Sequence, residues 1–289
     1  MAVHLPHLSD VEKLSSRVIR VLGGNPGHVS SNTYIVGTGS VRILIDTGAG
    51  RRIWIENIQN VLENEKATIS QAVITHWHHD HVGGIKQLLD IAPNAVIYKN
   101  LPEHGQLEIN DGQIFQVEGA SIKAVLCPGH TIDHTAFILE EEDVLFTGDA
   151  ILGHGTAAFE DLSSYLVSLR KLRSLCRGPI YPGHGSMIQD GPSKVLEYIN
   201  HRQERENQVL EILSSINFTS NTSLQNVEHR DWTSTEIVRT LYADIADGLL
   251  LSAQRVVREI LRKLKIEGRV IEINETERWR LNINSMEKS

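Results

Sequence analysis

The sequence predicts a layered α/β domain followed by a smaller, mostly helical domain. Three observations carry that reading. Through about the first 185 residues, short apolar runs alternate with Gly, Pro and Asn turn signals, the pattern of strands with helices between them. From Gly191-Pro192 onward the apolar spacing turns helical, and the chain closes on a hairpin pattern. A length of 289 residues, 40% apolar and 22% charged, supports one large core and one small one without disulfide staples. The domain boundary is therefore placed between residues 192 and 193.

Residues 17–22 read as a strand stopped by Gly23-Gly24-Asn25-Pro26-Gly27. Residues 33–36 and 41–45 form a hairpin across Gly37-Thr38-Gly39, and the second strand runs into Asp46-Thr47-Gly48. A helix over 53–64 precedes a strand at 71–75, and a short helix spans 85–89. Further strands fall at 95–98, 122–126, 136–139 and 144–147, then a helix over 160–176 and a short strand at 179–181. In the tail, residues 193–216 form one long charged helix and 217–231 a polar connection. Thr233 with Glu236 is a capping-box start for a helix to Ala243. Ser252 caps a helix that Gly268 ends, with Val256, Val257, Ile260, Leu261 and Leu264 as its apolar stripe. Residues 269–273 and 279–283 make a hairpin, and helix, helix, hairpin in this order resembles a winged-helix domain.

Charge and cysteine usage narrow the function classes. The first 192 residues hold 14 basic and 21 acidic side chains, a net of −7, and the remainder is nearly neutral. An acidic body argues against tight nonspecific binding to a nucleic-acid backbone, though not against a local basic face. With only Cys127 and Cys176, a disulfide framework is not expected and a reducing compartment is. No apolar run approaches a membrane span, so no membrane partner is expected. The N-terminus lacks the basic and apolar regions of a secretory signal, so the protein is read as not secreted.

The chemistry concentrates in Thr75-His76-Trp77-His78-His79-Asp80-His81, where five of seven residues can bind a metal ion. The cluster follows the apolar run Ala72-Val73-Ile74, so a strand delivers it to a loop. Imidazole and carboxylate are the usual ligands for zinc and similar divalent ions. Three more candidates each end a β-like run beside glycine: His130 in Pro128-Gly129-His130-Thr131, Asp149 in Thr147-Gly148-Asp149, and His184 in Pro182-Gly183-His184-Gly185. Any one of these motifs is weak alone; the four in this order are specific.

The series H-x-H-x-D-H, G-H-T, G-D, G-H-G resembles the metallo-β-lactamase superfamily. The resemblance implies a four-layer αβ/βα sandwich, here with a C-terminal winged-helix-like domain, and metals at one rim of two sheets. By motif, His76, His78 and His130 would bind a first metal, Asp80, His81 and His184 a second, with Asp149 bridging them. Asp46 would orient a ligand, and His79 would not be one. Two divalent ions, zinc first, would activate a bridging water, with Asp80 as catalytic proton acceptor. His134 could meet the leaving group, support a ligand or be structural.

Arg20-Val21-Leu22-Gly23-Gly24-Asn25-Pro26-Gly27, Asn32-Thr33-Tyr34, Thr75-His76-Trp77-His78 and Phe159-Glu160-Asp161-Leu162 are similar to the branch called beta-lactamase-like protein 2. That branch also relates to glyoxalase II and to fungal polyketide thioesterases. The link between Asn25-Pro26-Gly27 and Asn32-Thr33-Tyr34 is shorter here, with only His28-Val29-Ser30-Ser31 intervening. The branch implies an endoribonuclease acting on single-stranded RNA in the mitochondrial matrix, with the cytoplasm as the alternative. The alternative activity is a thioesterase acting on acyl-carrier protein or CoA substrates. Asn32 and Tyr34 are the candidate substrate contacts in the body. In the tail they are Arg255, Arg258 and Arg262, on the helix face opposite the apolar stripe; a solvated or dimerising face is the other reading. Either a monomer or a homodimer fits. A scaffold with structural zinc alone would not need all seven ligands.

Overall fold

The computed structural model describes residues 7–24, 30–215, 230–274 and 276–282. The turn at 25–29, most of the 217–231 connection and the last residues of the expected final strand lie outside them. In chain order the elements are β1 (Val11–Lys13), β2 (Val18–Leu22), β3 (Asn32–Val36), β4 (Val41–Ile45), α1 (Arg52–Asn64), β5 (Thr68–Ile74), α2 (His79–Val82), α3 (Ile85–Ile91), β6 (Val96–Lys99), β7 (Leu107–Glu108), β8 (Ile114–Val117), β9 (Ala120–Leu126), β10 (Thr135–Leu139), β11 (Val144–Gly148), α4 (Leu162–Leu175), β12 (Ile180–Pro182), α5 (Gly191–Ser214), β13 (Trp232–Thr233), α6 (Ser234–Leu241), α7 (Asp247–Ile266), β14 (Val270–Glu272) and β15 (Arg278–Leu281).

Two sheets build the body. The first runs β1-β2-β3-β4-β5-β6-β7, antiparallel through β4 and parallel beyond it. The second runs β12-β11-β10-β9-β8, antiparallel except where β11 meets β12. Side-chain alternation along each strand sorts the apolar residues into layers. Val18, Tyr34, Val36, Ile43, Ile45 and Val73 pack with Ile122, Ala124, Phe137, Leu139 and Phe146, so the inner faces of the two sheets share one core. Ile19, Val21, Ile35, Leu44, Ala72 and Ile74 face the other way and pack on Trp54, Ile58 and Val61 of α1 and Leu88 of α3. Trp54 is fully buried and its Nε1 donates to Thr33 Oγ1 at 3.0 Å, which fixes α1 against β3. On the second sheet's side, α4 buries Tyr165, Leu166, Leu169 and Leu172 and ties Ser168 Oγ to Pro128 O. Helix, sheet, sheet, helix is the expected four-layer order. Strands β2 and β3, β4 beyond Val41 and β5 from Ala72 on are buried on both faces, and most of their residues there are apolar.

The chain divides into two compact units, one reaching Glu160 and resuming over Ser164–Tyr198, the other comprising Asp161–Ser163 and the residues from Ile199 on. The division falls inside α5, which starts at Gly191 and continues unbroken through Tyr198. In the second unit, Thr233 Oγ1 accepts from Glu236 N and Glu236 Oε2 accepts from Thr233 N, closing the capping box at the start of α6. Of the expected stripe on α7, Val257, Ile260, Leu261 and Leu264 are buried and Val256 is half-buried. Ser252 is not its cap: α7 begins five residues earlier, after Ala246, since Leu249, Leu250 and Leu251 favour helix strongly enough to extend it. A three-stranded sheet, β13-β15-β14, completes this helix, helix, hairpin unit.

Candidate metal centre

The strands of the body release their functional residues at one rim. β4 leads into Asp46, β5 into Thr75 and His76, β9 into the loop bearing His130, β11 into Asp149, and β12 into His184. The helical turn α2 presents His81 inward, fully buried, with its carbonyl accepting from both Thr47 N and Thr47 Oγ1. Two positions at this rim require glycine. Gly148 has φ +48, and a Cβ there would stand 2.9 Å from His134 Nε2 and from Thr75 Cβ. Gly129 has φ +134, with the Cα of Tyr165 only 2.3 Å from where a Cβ would sit.

Seven side chains converge in two groups: His76, His78, His130 and Asp149 in one, Asp80, His81 and His184 in the other. His78 Nδ1 lies 2.9 Å from His76 Nε2 and 3.1 Å from His130 Nε2. Nitrogens bound about 2.05 Å from a tetrahedral ion sit roughly 3.3 Å apart, so this triangle suits one. In the second group His184 Nε2 lies 3.1 Å from Asp80 Oδ2 and 3.4 Å from His81 Nε2. Asp149 spans the two: Oδ1 is 3.4 Å from His81 Nε2, and Oδ2 is 3.4 Å from His184 Nε2, 3.8 Å from His130 Nε2 and 4.0 Å from His76 Nε2. Imidazole nitrogens packed this closely repel through their lone pairs unless a cation or proton lies among them. Asp149 Oδ1 is buried and has no hydrogen bond among the described residues. The donor set therefore fits divalent ions. His79 is exposed and belongs to neither group.

A set of buried hydrogen bonds fixes which ring nitrogens are available. Asp46 is only 1% exposed and adopts φ +59 at the end of β4. Its Oδ2 accepts from His81 Nδ1 at 2.7 Å and from Thr75 Oγ1 at 2.8 Å, while Oδ1 accepts from Thr75 N at 2.7 Å. The Thr75 hydroxyl has spent its proton on Asp46, so at 2.9 Å it accepts from His76 Nδ1. His130 Nδ1 donates to Ala158 O at 2.8 Å. Protons held at Nδ1 leave Nε2 of His76, His81 and His130 bare and pointing inward. Thr75 and the Ala158 carbonyl escaped sequence reasoning: a threonine before a histidine and a backbone oxygen carry no motif signal.

His134 is fully buried and supports the centre rather than meeting a leaving group. Its Nε2 accepts from Asp149 N at 3.1 Å, which places the proton on Nδ1, 3.2 Å from Cys127 Sγ. Cys127 is thus a buried neighbour of that support, its thiol pushed up to about 12 by burial. Burial also drives His76 and His134 well below the ordinary imidazole range, and His78 below it. Burial opposes charge on His81 too, but the carboxylates of Asp149 and Asp46 outweigh it and raise this group well above that range. For His184, hydrogen bonds to Asp149 and Asp80 overcome burial and hold it at about 9. Asp149 is held well below the carboxylate range: burial raises it, and His81 and His184 more than compensate.

Beside the centre lies a cavity of about 510 Å³ lined by Asp80, His130, Asp149, His184, Leu152, His154 and residues 156–158. His154 was not anticipated; its only sequence signal is its place between Gly153 and Gly155. Burial, then nearby His184, lowers its proton affinity. Asn32 and Tyr34, expected to contact substrate, are 1% and 3% exposed and do not line this cavity. Asn32 Nδ2 donates to Pro182 O and Gly185 O, and Tyr34 Oη donates to Pro182 O, so both side chains hold the loop that carries His184.

The basic face of α7 is largely neutralised. Arg258 pairs with Glu277 at 3.0 Å, Arg262 with Glu259, and Lys265 with Glu272 at 2.8 Å. Arg255 is exposed, with no ion pair among the described residues. Three carboxylates interleaved with the basic residues weaken the phosphate-attracting field expected there.

Comparison with known proteins agrees with this geometry. Residues 26–184 match the Metallo-beta-lactamase superfamily, and residues 233–279 match the Beta-lactamase associated winged helix domain. The chain is 45% identical over 270 residues to the atrochrysone carboxyl ACP thioesterase of Emericella nidulans, covering 92% of this chain and 84% of that protein. It is 42% identical over 272 residues to the lactamase-like protein adaB of Aspergillus niger, covering 92% and 86%. Among solved structures, a beta-lactamase domain protein from Burkholderia ambifaria superposes with a TM-score of 0.80 at 14% identity, covering 97% of this chain and 96% of that one. Together these findings make the chain a metal-dependent hydrolase of the metallo-β-lactamase superfamily.

Proposed function

We propose that the protein is a thioester hydrolase that releases an acyl group from an acyl-carrier protein, using two zinc ions. The observation that carries this reading is the 45% identity, over 92% of the chain, to a protein named as a carboxyl ACP thioesterase. A second relative, from a Cryptosporiopsis species, carries the same name at 42% identity. The charge pairing on α7 also counts against single-stranded RNA as substrate. No helix among the described residues is long and apolar enough to cross a membrane.

When bound, a pair of divalent ions supplies a hydroxide-strength nucleophile near neutral pH and polarises the scissile carbonyl. The chain's own residues do the rest. His76, His78 and His130 would hold one ion and Asp80, His81 and His184 the other, with the Asp149 carboxylate standing between the two groups. Asp80 lines the cavity and is kept ionised, since His184 and His81 outweigh the effect of burial. Its carboxylate faces the cavity and is the group placed to accept a proton from the attacking water. Hydrolysis breaks the C–S bond, and water supplies the carboxylate oxygen and the proton of the departing thiol.

The test is to present the protein, zinc-loaded or stripped by chelator, with an acyl-carrier thioester in one tube and labelled single-stranded RNA in another. Zinc-dependent release of the acyl acid with intact RNA is the expected result. Zinc-dependent RNA cleavage without thioester hydrolysis overturns the proposal.

A further inference from the structure

His154 stands apart from the seven candidate ligands, yet its ring lines the same cavity as Asp80, His130, Asp149 and His184. The backbone around it is pinned at three points. Tyr198 Oη, itself buried, accepts from Leu152 N at 3.0 Å and donates to Gly155 O at 3.2 Å. Gly153 N donates to His184 O at 2.8 Å. Gly153 also packs so closely on the His184 loop that a Cβ there would stand 2.3 Å from Ser186 O. The segment is thus locked to the loop that carries a candidate ligand.

Against that rigid frame the imidazole has no internal task. Its Nδ1 is buried and has no hydrogen-bond partner among the described residues. A buried polar atom without a partner is destabilising unless something else satisfies it. A side chain carried on a backbone held this firmly, with an unpaired polar atom beside a reaction centre, is arranged for a ligand rather than for packing.

We propose that His154 is a catalytic residue that hydrogen-bonds the reacting acyl thioester as it enters the cavity. The assignment rests on the thioesterase reading above. It requires no ion to be held by His154 and no change at the ligands.

The test uses the full-length, zinc-loaded protein and three variants. H154A removes the ring, H154F keeps ring volume without a hydrogen bond, and H154N keeps a hydrogen-bonding group near the Nδ1 position. Steady-state kcat and KM on an acyl-carrier thioester are read with zinc content and thermal midpoint. H154A and H154F are expected to lose about tenfold or more in kcat/KM, the equivalent of one hydrogen bond. Zinc content should stay unchanged, and H154N should recover part of the loss. Wild-type rates in H154A and H154F would overturn the assignment. So would recovery in H154F but not H154N, which marks a packing role, or zinc loss in step with activity, which marks an effect through the ligands. If the wild-type protein itself leaves the thioester intact, the thioesterase reading fails and this assignment with it. If wild-type and variants hydrolyse it equally, only the assignment fails.

Discussion

Replacing Asp46 with Asn tests how the fold sets the metal ligands. Asparagine tolerates the φ of +59 at this position, so the backbone need not change. The side chain must change its bonding. Asp46 accepts three hydrogen bonds, two at Oδ2 from Thr75 Oγ1 and His81 Nδ1 and one at Oδ1 from Thr75 N. If the new amide nitrogen takes the Oδ2 place, it faces the Nδ1 proton of His81. That ring must then move its proton to Nε2, which removes the ligand atom. If the nitrogen takes the Oδ1 place, it faces the backbone N–H of Thr75, which cannot be removed. Either way a hydrogen bond to a charged acceptor is lost in a site buried from solvent, at about 1.5–3 kcal/mol. Changes of this kind lower metal affinity roughly 10- to 100-fold. The loss should be greatest for the ion held by Asp80, His81 and His184, because only His81 touches Asp46 directly; His76 feels it through Thr75. Competition titration of zinc against a chromophoric chelator, on D46N and wild type, reads the two affinities. Wild-type affinity at both positions in a folded D46N protein would refute the account of how these rings are oriented.

Zinc must displace the proton from His184, held at about 9, and from His81, also raised, so affinity should climb as pH rises from 6.5 toward 9 with measurable proton release. Calorimetry in buffers of different ionisation enthalpy detects that release, and its absence contradicts the assignment. In the metal-free protein the sign reverses: the raised His184 stabilises the fold below about 6.5, its unfolded value, and that contribution is lost as pH rises through about 9. The Lys99–Asp133 pair, 2.5 Å apart with side chains 4% and 2% exposed, braces the loop between His130 and His134. Lys99→Met leaves a buried carboxylate uncompensated and should cost about 3–5 kcal/mol in urea denaturation; an unchanged midpoint would show that the pair is not needed. Joint replacement of Arg255, Arg258 and Arg262 by Ala should leave thioester kcat/KM within about twofold, since surface cations, two of these three already paired, contribute little; a large drop would place α7 in substrate binding.

The sequence made the body and its centre legible because both are written locally. Strands β4, β5, β9, β11 and β12 are apolar runs that end at Asp46, His76, the His130 loop, Asp149 and His184, and each run stops beside a glycine or a polar ligand. The capping box at Thr233 is equally local. What escaped depends on distant partners. β1 and β7 are short, exposed edge strands defined only by pairing, with no apolar alternation to mark them. Asn32 and Tyr34 looked like site residues because they belong to a motif, but their task, holding Pro182 and Gly185, appears only when β3 lies beside the His184 loop. The basic residues of α7 read as a phosphate face until Glu272 and Glu277, beyond the helix, came to pair with them. His154 was silent because its meaning lies in Tyr198 and the cavity, not in its neighbours.

The most direct test of the central claim, thioester hydrolysis at a centre that holds two ions, is a zinc titration of the metal-free protein read by thioester hydrolysis. Activity should rise with added zinc and level off at two equivalents per chain. A plateau at one equivalent, or a flat line in the zinc-replete protein, would contradict it.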